Sequence, residues 1–369
     1  MSAKLVVVFE PVERAKTCCM ITIPPLRPWR LINGTQAVQR WLLFRHGLGS
    51  RWSRTDPSFM IRMSSWCLQM NLMVIPHKTP MKRVNDLIPY KPAADVTLRA
   101  QLQSETPQDV LEGQVNVHDR VVKVRGHGAR MWQHDGRWRL SKAEQIDRLD
   151  VSYALAYGGR IIGDPEGQVD PSNPVGAGII HPDFTPRHME FVAPQIESPS
   201  APITEDVTRK VNPAGFGPVP PWWARRLAFA GTYDSAWEKD VHPRLPADFD
   251  YRHYQVGGTD LVMDHYLLPG MNVSTSGLMA GGNAFGFQIP DIVPVATFGF
   301  TDGREVKARL HMDGLHLDML GETPSYELTF RAWIETCPAM YRVDLDVTTQ
   351  QASHDARHPV SGLNGLVEV

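Results

Sequence analysis

Most features that would assign a chemistry at sight are missing from this chain. Only four cysteines, Cys18, Cys19, Cys67 and Cys337, stand among 369 residues, with no CxxC pair and no zinc-site spacing. Free thiols in a reducing compartment are the expectation. There is no basic excess: 38 Lys and Arg face 40 Asp and Glu, a net charge of −2, which argues against a general nucleic-acid binder. Long apolar runs are absent too. LVVVF at 5–9 is broken by Glu10 and Pro11, too short for a signal-peptide core or a membrane span, and it reads as a strand. The expected location is the cytoplasm, without membrane insertion. Neither GxxxxGK[ST] nor a strand followed by GxGxxG occurs, and LMAGGNAFGFQIP at 278–290 lacks the lysine and helix context of a nucleotide site. GxSxG and HExxH are also absent.

What is present is a soluble-type composition, 42% hydrophobic and 21% charged, in a chain long enough for two or three units. Residues 1–84 form an N-terminal segment in which 26–66 are rich in Arg and Trp, and TQAVQRWLLFRHG at 35–47 has the spacing of one short helix. From 85 to 157 the pattern alternates: VTLRAQL, LEGQVNVH, RVVKVRGHG and RMWQ read as short antiparallel strands. Residues 158–221 hold 12 of the 30 prolines, which excludes a regular sheet or helix running through. Apolar anchors such as Ile179, Ile180, Phe184 and Phe216 point to an ordered connection wrapped over a β core. Residues 222–348 return to strands, and 349–369 read as a loose tail. In VKARLHMDGLHLDML at 306–320, Asp313-Gly314 is a two-residue hairpin signal, setting Met312 opposite Leu315 and His311 opposite His316. ELTFRAWIE at 327–335 supplies another strand. The expected fold is mainly β (a β-rich α+β class): antiparallel, sandwich-like sheets joined by the long Pro/Gly-rich connection, with few short helices.

Candidate chemistry concentrates between 222 and 252. Asp234, Asp248 and Asp250 lie among Trp222, Trp223 and Trp237, as a glycosidase would need: two carboxylates across a sugar and aromatic rings to stack on it. Against that, Asp is a common turn and cap residue, and an Asp–Arg pair is a common structural tie. Arg226 or Arg252 is expected to neutralise one of these acids. Tyr233 and Trp237, four apart, fit one helical face, and Phe249 and Tyr251 extend the aromatic block, which is expected to be mostly buried. Trp, Tyr and Arg together also suit a protein–protein hot spot. His181, Asp183 and His188, and the pair His311 and His316, match no standard metal spacing, so neither metal nor cofactor is expected.

The run PAGFGPVPPWWARRLAFAGTYDSAW at 213–237, followed by PRLPADFDYR at 243–252, resembles a bacterial family of uncharacterised proteins, DUF2169. YKPAADVTL at 90–98, VRGHGARMW at 124–132, YALAYGG at 153–159, NPVGAG at 173–178 and PQIESPSAPI at 194–203 extend the resemblance in order, over roughly 85–345. The resemblance implies an accessory protein of type VI secretion, not an enzyme. Its implied role is an adaptor or chaperone that binds an effector and helps load it onto the spike of VgrG and PAAR-repeat proteins. The alternatives are a carbohydrate-active hydrolase using Asp234, Asp248 or Asp250, and a structural subunit of the secretion machine.

Overall fold

Period-two patterning carries through to the computed structural model, which describes residues 4–8, 16–23, 88, 90–242, 244–279, 284–321, 323–335 and 340–348. In chain order come β1 (Lys4–Val8), β2 (Lys16–Ile23), β3 (Asp95–Arg99), β4 (Gln101–Gln108), β5 (Val110–Val117), β6 (Arg120–His127) and β7 (Met131–His134). Next are β8 (Trp138–Leu140), β9 (Ile146–Asp150), β10 (Tyr157–Ile162), β11 (Ala177–Ile180), β12 (Met189–Val192) and β13 (Ile196–Glu197). Two short helices follow, α1 (Ala224–Leu227) and α2 (Ser235–Asp240). The chain then returns to strands: β14 (Asn272–Ser276), β15 (Phe285–Gln288), β16 (Val293–Phe300), β17 (Glu305–Arg309), β18 (His311–Asp318), β19 (Ser325–Glu335) and β20 (Met340–Thr348). The protein is mainly β. The short helix expected at 35–47 and the loose tail from 349 lie outside the described residues.

Three sheets surround the principal core. Their strand orders are β1-β2-β19-β18-β3, β13-β6-β5-β14-β15 and β17-β16-β20. The hairpin of β5 and β6 shows how sequence makes a half-buried sheet: Leu111, Val115 and Val117, then Val122 and Val124, face inward, while Glu112, Val121 and Lys123 face solvent. From the first sheet Val96, Leu98, Leu315, Leu317, Leu328 and Phe330 enter the same core, and Ala296, Phe298 and Phe300 enter it from the third. At about 25 cal/mol per Å² of apolar surface removed from water, this shared burial is what holds the sheets together. A smaller core gathers Trp132, Ile180 and Ala193 with Trp138, Phe184 and Phe191.

Three expectations are corrected. Asp313-Gly314 does not turn a hairpin. Residues 311–318 run as one strand, antiparallel to β19 with Met312 opposite Phe330, and parallel to β3 with Leu315 opposite Val96. A bulge between Met312 and Gly314 absorbs the dipeptide, and Asp313 turns inward to pair with buried Arg331 at 2.6 Å. Hence β3, read as antiparallel, has a parallel neighbour. His311 and His316 do not face each other: His311 stacks on Tyr266 with ring centroids 4.6 Å apart, and His316 Nδ1 shares a 2.9 Å hydrogen bond with Thr97 Oγ1. Finally, the proline-rich 158–221 stretch does carry regular structure, since β11, β12, β13 and most of β10 fall inside it. Its prolines keep those strands short, two to six residues, while Phe216 and Val219 seat it in the principal core.

YALAYGG and NPVGAG meet at β10 and β11. Buried Asn173 donates from Nδ2 to the carbonyls of Tyr153 (2.9 Å) and Tyr157 (3.0 Å), and its backbone carbonyl accepts from Gly159 N–H at 2.7 Å. Gly159 has φ of +79°, and a Cβ there would lie 1.9 Å from the carbonyl oxygen of Gly176. Gly159→Ala is therefore expected to cost about 2–3 kcal/mol or more, read as a lowered urea midpoint at unchanged slope. A loss below about 0.5 kcal/mol would show that this close approach is not required.

Candidate functional site

The 222–252 block divides into an anchored base and a projecting arm. Trp223, 1% exposed, packs its ring edge-on against Tyr153 at 5.1 Å, and burial raises the Tyr153 hydroxyl to about 12. Trp222 packs half-buried against the same core. Arg226 on α1, 6% exposed, donates to the carbonyls of His253 (2.7 Å) and Val219 (2.8 Å). Burial lowers its pKa to about 10, against the raising influence of Asp95. His253 Nδ1–H returns a hydrogen bond to the Arg226 carbonyl at 2.8 Å. The neighbouring Arg225 guanidinium donates to the Gly257 carbonyl at 3.0 Å and the Thr259 hydroxyl at 3.3 Å.

Asp95, 2% exposed, completes the base from β3. Its carboxylate accepts the N–H groups of Val256 (2.9 Å) and Gly257 (3.1 Å) and pairs with Lys91 at 3.0 Å. One carboxylate thus holds the 253–257 strap to the sheet, pairs with buried Lys91, and through its charge raises the pKa of Arg225 and Arg226 against the lowering by burial. Beside it lies a shallow open cleft whose lining includes Thr97, Pro218, Val256, His316 and Glu327. The Thr97–His316 hydrogen bond and the Lys91–Asp95 pair line it.

The arm leaves the base at Phe229 and returns at Asp250, whose N–H donates to the Phe229 carbonyl at 3.1 Å. Asp248 closes it a second time, accepting from Thr232 N–H (3.0 Å) and Oγ1–H (2.7 Å), and these bonds hold its carboxyl below the usual range. Gly231 sits at φ +78° against Asp248, where a side chain would be strained. Asp234 caps α2 by accepting from Trp237 N–H at 2.8 Å. Asp250 accepts from Arg252 N–H and Nε–H, both at 2.8 Å, and the Arg252 hydrogen bond lowers its carboxyl too. Arg252 lies over the Phe229 ring at 4.3 Å. Within the arm the Tyr233 and Trp237 rings meet edge-on at 4.7 Å, and Trp237 Nε1–H donates to the Arg244 carbonyl at 2.9 Å. Phe249 and Tyr251 stay half-buried, Phe249 against Tyr254 and Tyr251 edge-on to Tyr90 at 5.2 Å.

The expectation of a mostly buried block therefore holds for Trp223 and Arg226 and fails for the arm: α2 has no buried residue, and Tyr233 is 52% exposed. Arg252 does neutralise Asp250. Arg226 serves backbone carbonyls instead, while Asp234 and Asp248 accept from backbone and hydroxyl donors. Among the described residues no group of three or more His, Cys, Asp or Glu is placed to hold a metal.

Sequence reasoning did not single out several of the buried charges. Besides Lys91 and Asp95 they include Glu197, which accepts from His127 (2.9 Å), Arg130 (3.1 Å) and Ile203 N–H (2.9 Å). The available signal was a charged residue in a short proline-containing run: KPAADV around Lys91 and Asp95, and PQIESP around Glu197.

A β-rich scaffold whose quoted blocks converge on buried polar ties, and which carries an aromatic arm outside its core, defines the class. The family model described as "Uncharacterized protein conserved in bacteria (DUF2169)" matches residues 49–331, and the chain belongs to that family. The match begins at 49 rather than 85 and ends at 331 rather than 345, so it takes in part of the 1–84 segment. No curated protein and no solved structure matches the chain. No helix among the described residues is long and apolar enough to cross a membrane.

Proposed function

We propose that this protein is a non-catalytic adaptor or chaperone that binds a type VI secretion effector and helps load it onto the VgrG and PAAR-repeat spike. The role comes from the resemblance to DUF2169. The observation that supports it most is the division of the 222–252 block, with its anchoring residues spent on the scaffold and its arm left outside the core. An adaptor needs a rigid frame that presents aromatic surface.

The carboxylates favour this reading over a hydrolase. A glycosidase acid needs a raised pKa, whereas hydrogen bonds lower the carboxyls of Asp248 and Asp250. Asp234 is engaged as a helix cap.

Affinity capture of the full chain from its own host, followed by mass spectrometry, tests the proposal. Recovery of a spike, tip or effector protein in transient, substoichiometric amounts is expected. Recovery of none of the three would defeat it, and many copies retained in the assembled particle would favour a structural subunit instead.

A further inference from the structure

The sheet β17-β16-β20 ends on both sides in a strand with no further ladder partner among the described residues. Val306, Ala308, Val343 and Leu345 turn its inner face to the principal core. The residues between them face outward, and register sets these in three rows across the central strand: Glu305–Gly299–Arg342, Lys307–Thr297–Asp344 and Arg309–Val295–Asp346. All six flanking side chains are exposed. In chain direction the β17 edge therefore reads acid, base, base, and the β20 edge reads base, acid, acid.

Charges on an edge strand ordinarily keep two sheets apart. They do so when the edges that meet carry like signs, and these two edges carry opposite signs at each position. Because β16 is antiparallel to both neighbours, β17 and β20 run parallel to each other. A copy displaced sideways in the plane of the sheet sets its β17 parallel to the β20 of the first. Glu305 then meets Arg342, Lys307 meets Asp344 and Arg309 meets Asp346, three opposite pairs. Two-fold pairing of like edges is poorer, since it sets Lys307 against Lys307 or Asp344 against Asp344. Antiparallel joining of β17 to β20 sets Glu305 against Asp346 and Arg309 against Arg342. Within one chain Arg342 already bonds Glu305 across Gly299 and pairs with Asp344 at 2.6 Å. Lys307, Arg309 and Asp346 form no ion pair among the described residues, and they carry most of the match.

We infer that the protein associates with itself edge to edge: β17 of one copy pairs in parallel with β20 of the next, so the occupant of each edge is a second copy of this chain. Ladder hydrogen bonds make the joint, and the charge rows fix its register and direction. The joint uses two different edges, so it is heterologous and either grows as a row of copies or closes as a ring. Strands of five and nine residues make a small contact, and the association is accordingly weak and salt-sensitive. This goes beyond the adaptor reading and does not depend on it.

Sedimentation velocity of the purified full chain over a concentration series tests it, for wild type, Lys307→Glu/Arg309→Glu, Asp344→Lys/Asp346→Lys and an equal mixture of the two variants. Wild type is expected to gain mass with concentration in about 50 mM salt and to lose most of that gain in about 500 mM. Each reversal alone sets like charges across the joint and is expected to weaken association about tenfold or more. Mixing the two brings opposite edges together again and is expected to restore association to within about threefold of wild type. The exchanged residues are exposed, so the variants should keep the wild-type melting temperature. Asp346→Lys alone, which breaks no ion pair, replaces the β20 double variant if that one melts early. A chain that stays monomeric at every concentration overturns the inference, as does association that neither reversal weakens. Weakening by only one of the two reversals means two-fold pairing of that edge and overturns the heterologous joint.

Discussion

Replacing Glu197 by glutamine is expected to destabilise the fold by about 3–5 kcal/mol at neutral pH, the usual cost of breaking a buried ion pair from one side. Glu197 is 4% exposed and Arg130 7% exposed, so the guanidinium left behind cannot turn to water. The same carboxylate ties β6 to β13 and to the segment after it, through His127, Arg130 and Ile203. Burial alone would raise its pKa, but hydrogen bonds from His127 and Ile203 and the charge on Arg130 outweigh it and hold the group at about 2, below its ordinary 4.5. Because the folded value is the lower one, the stabilisation is fully present above about 4.5 and is lost as pH falls towards 2. Its size, from the same shift, is about 3 kcal/mol. Urea titrations at pH 7 and pH 3 check both statements. Glu197→Gln should lower the midpoint at pH 7 and lose less than wild type on moving to pH 3. Parallel losses in the two proteins would place the acid sensitivity elsewhere.

Asp95→Ala is expected to have an effect of similar size, about 3–5 kcal/mol, with a local signature. It leaves Lys91, 3% exposed, without its acid, and the N–H groups of Val256 and Gly257 without their acceptor. Amide hydrogen exchange should accelerate most at Val256 and Gly257, spreading along the 253–257 strap that Arg226 also holds. The double replacement Lys91→Met/Asp95→Leu removes both charges together and should recover part of the loss. Uniform acceleration throughout the protein, with no excess at the strap, would mean that Asp95 contributes only to global stability.

Both residues show where sequence reading stops. The strands were legible wherever one face meets water, because the alternation in LEGQVNVH and RVVKVRGHG is the pleat itself written in residue types. Asp313-Gly314 misled for a physical reason. Turn chemistry is local, but what decides here is Arg331, eighteen residues on, which draws Asp313 into the interior. The missing side chain of Gly314 lets Thr329 sit close across the ladder, where an added Cβ would meet it at 3.2 Å. The blocks that carried the family resemblance were visible as blocks, but their convergence was not. Glu197 and Arg130 are 67 residues apart, and Asp95 and Val256 are 161 apart. Within 222–252 the Asp250–Arg252 tie could be read from adjacency, whereas Thr232 as the partner of Asp248 required the arm to close on itself.

Deleting the gene, then complementing it with wild type or with an Asp248→Asn/Asp250→Asn variant, addresses non-catalytic adaptor function most directly. Secretion of the cognate effector into recipient cells is measured alongside assembly of the secretion tube. Deletion is expected to abolish effector delivery while leaving tube assembly intact, and the folded double variant is expected to restore delivery. Effector delivery that survives deletion, or a folded double variant that still binds its partner yet fails to restore delivery, would contradict it.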